Sequence, residues 1–343
     1  TFKIKGLDGN ILVFINGVFS EKHSSYSTQD VTIKRLKEAD IENKDKITRH
    51  FGQQTKETED SFAAINSMYC NDGVYVHIEK NKISETPIII YNVSNASSGE
   101  SVSFPRNLIL AENNSQSSIV EIYATIGAGN SLTNSVTEIE VGKNAICNYY
   151  KLSNDVANAY HIGLTNVTQD TSSTFNAHSY SFGGRMIRNN LRVSQNGEHC
   201  TTNMYGLYLL SGNSHVDNHT VVDHKKPNSY SNELYKGIFD DKSTGVFNGK
   251  IFVRAEAQKT NAFQSNKNIL LTDTATINTK PQLEIWADDV KCSHGCTTGQ
   301  MDEDALFYLR ARGINKEQAR AMLLYAFTID VIDKIKIDAL KKH

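Results

Sequence analysis

The stretch of sequence that decides the fold, residues 232–313, reads NELYKGIFDDKSTGVFNGKIFVRAEAQKTNAFQSNKNILLTDTATINTKPQLEIWADDVKCSHGCTTGQMDEDALFYLRARG. Short β-rich runs alternate in it with Asn, Gly, Ser and Thr. It ends in the cluster Lys291-Cys292-Ser293-His294-Gly295-Cys296 and then becomes helical. Two thiols and an imidazole lying this close together can hold a metal, hold a cluster or carry out redox chemistry. The stretch therefore predicts a β scaffold that carries a reactive cluster at one end.

The same β pattern extends upstream, where residues 101–288 show almost no helical period. Apolar residues alternate with Ser, Thr and Asn, which is typical of half-buried strands. The predicted strands are Ile119–Tyr123, Val136–Val141, Ile146–Leu152, Thr174–Phe182, Thr201–Leu210, His215–Val222, Val246–Val253 and Leu283–Trp286. Residues that tolerate positive φ fill the predicted corners. These are Asn113-Asn114, Gly127, Gly129-Asn130, Gly183-Gly184, Asn189-Asn190 and Gly212-Asn213.

This β region is too long for a single sandwich of about 100 residues. A large barrel, a double sandwich or a parallel β-helix can hold it. Two-residue hairpin turns are scarce, which argues against up-and-down pairing. Stacked coils also suit Asn, Ser and Thr, which can form ladders along the stack. Although no strict period is visible, we expect a mostly β protein and favour a parallel β-helix over residues 91–291.

The N-terminal region, residues 1–90, mixes short strands with helix. Asn16-Gly17 is a strong hairpin signal. Residues 24–58 are polar and predict only loose helix or loop. Asp60 or Ser61 can cap a short helix, and the alternating residues 74–78 predict a strand.

The C-terminal region, residues 292–343, is predicted to be largely helical. Acidic residues 302–304 begin a helix that Gly313 ends. Asn315 can cap a second helix, whose apolar stripe contains Ala319, Met322, Leu323, Ala326 and Phe327 and whose pattern continues to Lys341-Lys342. A helical pair at the end of a β domain is either a cap or a docking module.

Composition excludes several classes of protein. The 343 residues carry 36 Lys and Arg against 38 Asp and Glu, a net charge of −2, which argues against a nucleic-acid binder. We see neither an apolar run that could cross a membrane nor a secretory signal. Since the sequence begins at Thr1 rather than Met, we expect the natural protein to extend upstream.

The five cysteines are too few and too scattered for a disulfide framework. A reducing cytoplasm is the simpler interpretation. Cys70, Cys147 and Cys200 are predicted to be small buried residues, because free cysteine is among the most buried residue types.

Three further sets of residues could carry chemistry. His215, Asp217 and His219 would lie on one face of a strand and suit a metal, or could simply satisfy one another in a polar ladder. The pairs Asp240-Asp241 and Asp288-Asp289 resemble the carboxylates of a glycoside-cleaving site. Strand neighbours point to opposite faces, so turn formation is the better prediction for both pairs.

Cys292, His294 and Cys296 form the sharpest set. Their spacing does not match a self-contained zinc site. In an extended strand they would share one face, where they could form half of a site completed by another chain. The alternative is a turn that happens to contain two cysteines.

Long ungapped motifs in the same stretch resemble the SufB/SufD family. The motifs are Leu234-Tyr235-Lys236-Gly237-Ile238, Gly245-Val246-Phe247-Asn248-Gly249-Lys250-Ile251, Ala257-Gln258-Lys259-Thr260-Asn261-Ala262, Thr279-Lys280-Pro281-Gln282-Leu283-Glu284-Ile285 and Ala287-Asp288-Asp289-Val290-Lys291-Cys292-Ser293-His294-Gly295, with Arg188-Asn189-Asn190-Leu191 and Asp217-Asn218-His219-Thr220 upstream. The junction Cys-Ser-His-Gly followed by residues 306–314 is similar to the SufD branch. Cys296 departs from the family, which commonly has Ala there.

The resemblance implies a right-handed parallel β-helix with flanking helices and a truncated N-terminal helical domain. It also implies a non-enzymatic scaffold subunit of the SUF system for iron–sulfur cluster assembly, without a permanently bound cofactor. Such a subunit pairs with a SufB-like chain and docks the ABC-type ATPase SufC through its C-terminal helices, here with Leu306, Phe307, Tyr308, Arg310 and Arg312. His294, then Cys292, would help to hold a transient cluster or iron at the partner interface. Apart from the resemblance, an unpaired β-helix surface would allow a homodimer when the partner is absent.

Two rival functions stay open at this point. One is a stand-alone metal-binding protein that uses His215, Asp217, His219 or the cysteine cluster with Cys296. The other is a β-helical polysaccharide-active enzyme, which would need clustered acids on one outer face.

Overall fold

The chain is wound into a parallel β-solenoid. The computed structural model describes residues 2–27, 31–42, 44–56 and 60–343. Of the chain, 51% is strand and 17% is helix, and the solenoid has about 8 turns. The predicted mostly β fold, with a parallel β-helix core and flanking helices, is therefore confirmed.

Two sheets of stacked parallel strands form the walls of the solenoid. In chain order the strands are β1 (Asn10–Ile15), β2 (Val18–Phe19), β3 (Thr32–Arg35), β4 (Val74–Ile78), β5 (Ile88–Asn95), β6 (Ser101–Ser103), β7 (Arg106–Ala111), β8 (Gln116–Ile126), β9 (Ser131–Val141), β10 (Ile146–Asp155), β11 (Ala159–Gln169), β12 (Thr174–Gly183), β13 (Met186–Gln195), β14 (Thr201–Leu210), β15 (His215–His224), β16 (Tyr230–Phe239), β17 (Thr244–Val253), β18 (Asn261–Leu270), β19 (Thr276–Ile285) and β20 (Lys291–Gly299). The first sheet has the order β2-β1-β5-β8-β10-β12-β14-β16-β18-β20. The second has the order β19-β17-β15-β13-β11-β9-β7-β4-β3, and β6 also pairs with β9.

The helices lie outside these walls. They are α1 (Leu36–Glu42), α2 (Lys44–His50), α3 (Gln53–Lys56), α4 (Ser61–Tyr69), α5 (Glu303–Ala311), α6 (Lys316–Ile332) and α7 (Asp338–Lys342). The segment 24–58, predicted as loose helix or loop, contains β3 and the short helices α1 to α3. Its residues 28–30, 43 and 57–58 lie outside the described part of the chain.

Successive coils turn through the same kind of corner. Asn114 and Asn144 both have positive φ, 59° and 56°, which Asn tolerates better than most residues. Asn144 Nδ2 donates to Asn114 Oδ1 over 3.0 Å, and Asn114 Nδ2 donates to Asn81 Oδ1 over 2.7 Å. The predicted corner role and the predicted polar ladders are therefore confirmed here. Asn189-Asn190 was predicted as a corner and lies instead within β13.

The outer faces of the two sheets are covered by different helices. Asp60 caps α4 by accepting from the backbone N–H groups of Phe62 and Ala63, as predicted. Asn66 on α4 donates from Nδ2 to the backbone oxygens of Pro105 and Asn134, which fixes this helix on the second sheet. On the first sheet, α6 buries Val331 against the apolar outer residues of β8 and β10.

The C-terminal helix is shorter than its pattern indicates. The prediction of a helix continuing to Lys341-Lys342 is wrong, because α6 ends at Ile332 and a turn separates it from α7. This turn lets Ile335 and Ile337 pack on the outer face of the first sheet. The predicted stripe also differs, since Met322 is exposed while Thr328 and Val331 are buried.

All five cysteines are free thiols. Cys147 and Cys200 are buried, as predicted, but Cys70 is only half-buried because it lies at the C-cap of α4. Among the described residues, no helix combines the length and the apolar character needed to cross a membrane.

Candidate functional site

The C-terminal end of the solenoid is open. β20 is hydrogen-bonded only to β18, and β19 only to β17, within the described residues. Each therefore leaves one row of backbone N–H and C=O groups without a strand partner. These strands contain nine and ten residues, long enough to pair with a further strand.

The cysteine–histidine cluster lies on β20 at this open end. Cys292, His294 and Cys296 stand in register with Ala262, Gln264 and Asn266 of β18. Those three β18 residues are buried inside the solenoid. Because alternate residues of a strand share a face, the cluster also faces the solenoid axis, as extended geometry predicts. His294 and Cys296 are nevertheless exposed, since no further coil in the described part of the chain covers them.

The three side chains differ in their surroundings. Cys292 packs against a small apolar cluster that includes Ala262 and Val253. Burial raises the pKa of its thiol, and a hydrogen bond accepted from the backbone of Ala262 offsets this in part. Cys296 Sγ lies 3.0 Å from Thr279 Oγ1. His294 has no hydrogen-bond partner among the side chains and backbone that the structure describes, so its ring is available to a ligand.

A polar column that the sequence does not reveal continues beneath His294. Gln264 and Glu233 occupy the same interior position in the two preceding coils. Gln264 Nε2 donates to Glu233 Oε2 over 2.7 Å. Burial raises the pKa of Glu233 to about 7, although hydrogen bonds from Thr220 and Gln264 act in the opposite direction. The spacing of 31 and 30 residues between these three positions is the only sequence signal for the column.

The candidate metal residues on β15 bind one another and their neighbours. Asp217 Oδ2 accepts from Arg188 over 2.7 Å, and Oδ1 lies 2.8 Å from His219 Nε2. His215 Nδ1 lies 2.6 Å from Thr244 Oγ1. Burial acts to raise the pKa of Asp217, but the hydrogen bond from His219 and the charges of His219 and Arg188 lower it overall. No three His, Cys, Asp or Glu side chains are placed to hold a metal in the described parts of the chain.

The acidic pairs lie in turns, as predicted. Asp241 has a φ of 54° and donates its backbone N–H to Asp240 Oδ1. Asp289 accepts from the backbone N–H of Lys259 and donates its own N–H to Gln258. These contacts account for both pairs as turn-forming residues.

The C-terminal hairpin of α5 and α6 presents an exposed aromatic surface. Phe307 is 72% exposed and Tyr308 is also exposed. The guanidinium of Arg312 lies 3.5 Å from the centre of the Tyr308 ring, and Arg310 is exposed on the same helix. Leu306 is buried, so only four of the five predicted docking residues are accessible.

The fold and its open end define a β-helical protein whose terminal coil offers both strand edges and soft donor groups. Comparisons with known proteins agree. Residues 92–327 match the family model described as SUF system FeS cluster assembly, SufBD core domain, and residues 2–90 match that of the SufBD protein N-terminal region. The chain therefore belongs to the SufB/SufD family.

Its named relatives include SufD proteins. The chain is 33% identical to an iron–sulfur cluster assembly SufBD family protein of Synechocystis, over 96% of this chain and 75% of the relative. It is 32% identical to the iron–sulfur cluster assembly protein SufD of Escherichia coli, over 78% of this chain and 64% of the relative. It is 26% identical to SufD of Bacillus subtilis, over 88% and 69% respectively. These relatives support a SufD-like member of the family.

Proposed function

We propose that this chain is a non-enzymatic scaffold subunit of a cytoplasmic SUF complex for iron–sulfur cluster assembly. In this proposal it pairs with a SufB-like chain through the open end of the β-helix and docks a SufC-type ABC ATPase through α5 and α6. The observation that carries the proposal is the open terminal coil, where unpaired strand edges lie beside Cys292 and His294.

Strand pairing across the open end would complete the two sheets. A partner strand that added to β19 or β20 would satisfy their free backbone groups and cover the inward-facing side chains. Exposed apolar residues at this end, Ile285 and Trp286, favour such burial. When the partner is absent, a second copy of this chain can occupy the same edges, which favours a homodimer in isolation.

The cluster itself is cargo in this proposal, held in transit between the two subunits. Imidazole and thiolate groups are suitable ligands for iron. His294 is the accessible donor, and Cys292 lies two residues away on the same face. Because this chain offers few donor groups at the open end, a site divided between subunits would need further donors from the partner.

The ATPase would act through the C-terminal helices. Lys236 on β16 donates from Nζ to Phe327 O over 2.6 Å and lies 2.5 Å from Asp330 Oδ1. These contacts fasten α6 to the first sheet, whose last strand carries His294. Movement of the docked hairpin would therefore be transmitted to the wall of the β-helix that ends in the site.

The proposal is tested in cells that depend on this chain for cluster assembly. We expect His294→Ala to lower the activity of iron–sulfur enzymes at least tenfold and Cys292→Ala to lower it less, with unchanged amounts of the chain. His215→Ala serves as a control, because this histidine lies on the outer face of β15. Normal enzyme activity with His294→Ala would contradict the proposal.

A further inference from the structure

The interior of the solenoid carries a stack of side chains directly beneath His294. The positions in register are Met204 on β14, Glu233 on β16, Gln264 on β18 and His294 on β20. Parallel strands lie about 4.8 Å apart, so each of these residues lies directly next to the one in the neighbouring coil. Glu233 is 2% exposed and Gln264 is 3% exposed.

The hydrogen bond between the two buried residues fixes the orientation of the amide. Gln264 Nε2 donates to Glu233 Oε2 over 2.7 Å, and an ionised carboxylate can only accept. When Glu233 is ionised, the NH₂ group of Gln264 therefore points toward it. Gly249 makes room for it, because a Cβ at that position would lie 2.3 Å from Gln264 Nε2.

This orientation leaves one atom of the amide without a partner. Gln264 Oε1 is buried and accepts no hydrogen bond from the described residues. Buried carbonyl oxygens are nearly always paired in folded proteins. The neighbouring position in the next coil is His294, which carries a ring N–H donor when neutral and likewise has no hydrogen-bond partner among the described residues.

We infer that Gln264 is a positioning residue for His294: Gln264 Oε1 and the His294 ring, both unpaired in the described structure, form a hydrogen bond in solution, and Glu233 holds the amide in the orientation that makes this possible. One nitrogen of the imidazole is thereby fixed as the donor, and the other keeps its lone pair for a metal. This inference deepens the proposed function, since the metal chemistry proposed for His294 is the reason to fix its tautomer.

The test is a long-range ¹⁵N–¹H spectrum of the full chain labelled with ¹⁵N-histidine, washed with chelator, at pH 8. His294→Gln assigns the signal. We expect one ring nitrogen of His294 to be protonated and the other not, with two well-separated shifts. The exposed terminal His343 supplies the reference for an imidazole that exchanges between both tautomers.

Four variants separate positioning from general stability. In Gln264→Met, the two shifts of His294 should move toward the averaged shifts of His343. Glu233→Met should move the two shifts of His294 in the same direction. Glu233→Gln keeps an acceptor for the amide and should leave these shifts unchanged. Gln195→Met is the matched control, because it removes another fully buried glutamine, bonded to Thr202 and Tyr230. If Gln264→Met does not fold, the two Glu233 variants carry the comparison.

Unchanged shifts of His294 in Gln264→Met and Glu233→Met would overturn the inference. The spectrum is recorded without iron, so its result does not depend on the proposed function. If Gln264→Met changes the tautomer but His294→Ala leaves cluster assembly intact in cells, the positioning role holds and the proposed role of His294 fails.

Discussion

The two ends of the β-helix have different kinds of edge strand. At the N-terminal end, the first sheet stops at β2, a two-residue antiparallel strand, and the second stops at β3, an antiparallel strand of four residues. Phe14 and Ile33 are buried inside this end, and the rings of Phe14 and Phe19 meet edge to face at 5.6 Å. At the C-terminal end, β19 and β20 are long, parallel and unpaired on one side.

The two ends therefore differ in how well their edge strands are protected. Short antiparallel edge strands are a common protection against unwanted pairing, and the N-terminal end has them on both sheets. The C-terminal end lacks this protection in the described residues and exposes side chains that face the axis, His294 and Cys296 among them. The chain covers one end of the β-helix with its own short strands and leaves the edge strands of the other end unpaired.

Removing one aromatic ring at each end of the β-helix should give the largest difference in stability between the two ends. Phe14→Ala should lower the free energy of unfolding by about 3–5 kcal/mol, because Phe14 is 2% exposed and a cavity would remain. Trp286→Ala at the open end should cost about 1 kcal/mol or less, since this ring is 51% exposed. Guanidinium unfolding of the isolated chain measures both, and equal losses would contradict the difference between the ends.

A buried acid near the open end should make stability depend on pH. Burial raises the pKa of Glu233 from 4.5 to about 7, so its contribution to stability is full below pH 4.5 and is lost as the pH rises through 7. The whole loss is about 3 kcal/mol. The neighbouring Tyr208 and Tyr235 do not titrate in this range, because burial raises the pKa of both above 10.

Glu233→Gln should remove this part of the pH dependence. The measurement is the difference in unfolding free energy between the variant and the original chain at pH 4.5, 6 and 8. The variant should gain stability relative to the original chain as the pH rises. A constant difference across this range would contradict the prediction, because it would mean that the pKa of Glu233 is the same in the folded and the unfolded chain.

The exposed hairpin should matter for binding and hardly for stability. Phe307→Ala should change the free energy of unfolding by less than about 0.5 kcal/mol, since Phe307 is largely exposed. The affinity of the Phe307→Ala chain for a SufC-type ATPase should fall about thirtyfold, as is typical when an aromatic residue is removed from the centre of an interface. Titration calorimetry measures the affinity, with the exposed Gln318→Ala on the next helix as control. Equal affinities for both variants would remove α5 from the docking surface.

All eight predicted strands are present, whereas β6, β7, β11, β13, β16, β18 and β20 were not predicted. In β16 and β18 the sequence signal is weak because Glu233, Gln264 and Asn266 occupy positions inside the solenoid. Alternation of apolar and polar residues cannot indicate a buried face that is itself polar.

The coil repeat was missed for a related reason. From β8 onward, strands of the first sheet begin 27 to 31 residues apart, and each coil turns at a residue with positive φ. The residue type at this corner varies, so no sequence period is visible; the corner residues are Asn114, Asn144, Ser172, His199, Asn228 and Lys259. The local cluster of Cys292 and His294 could be predicted because it is contiguous, whereas the column beneath it depends on neighbours about 30 residues apart.

The open edge of β20 offers a matched pair of substitutions. Lys291 donates its backbone N–H to the backbone oxygen of Thr260, next to β18. Because successive N–H groups of a strand point to opposite edges, the N–H of Thr297 also points toward β18, and the N–H of Thr298 points to the free edge. Proline has no N–H. Thr297→Pro should therefore destabilise the chain, while Thr298→Pro should leave it folded and remove one donor from the edge.

The measurement that tests the central claim most directly is co-purification of this chain with a co-expressed SufB-like paralogue from the same cell, under anaerobic conditions. The original chain should form a stoichiometric complex, and folded Thr298→Pro should retain less than about a tenth of it, because the edge can no longer pair along its length. Recovery of the same amount of complex with Thr298→Pro would contradict the account that the open end of the β-helix receives the partner.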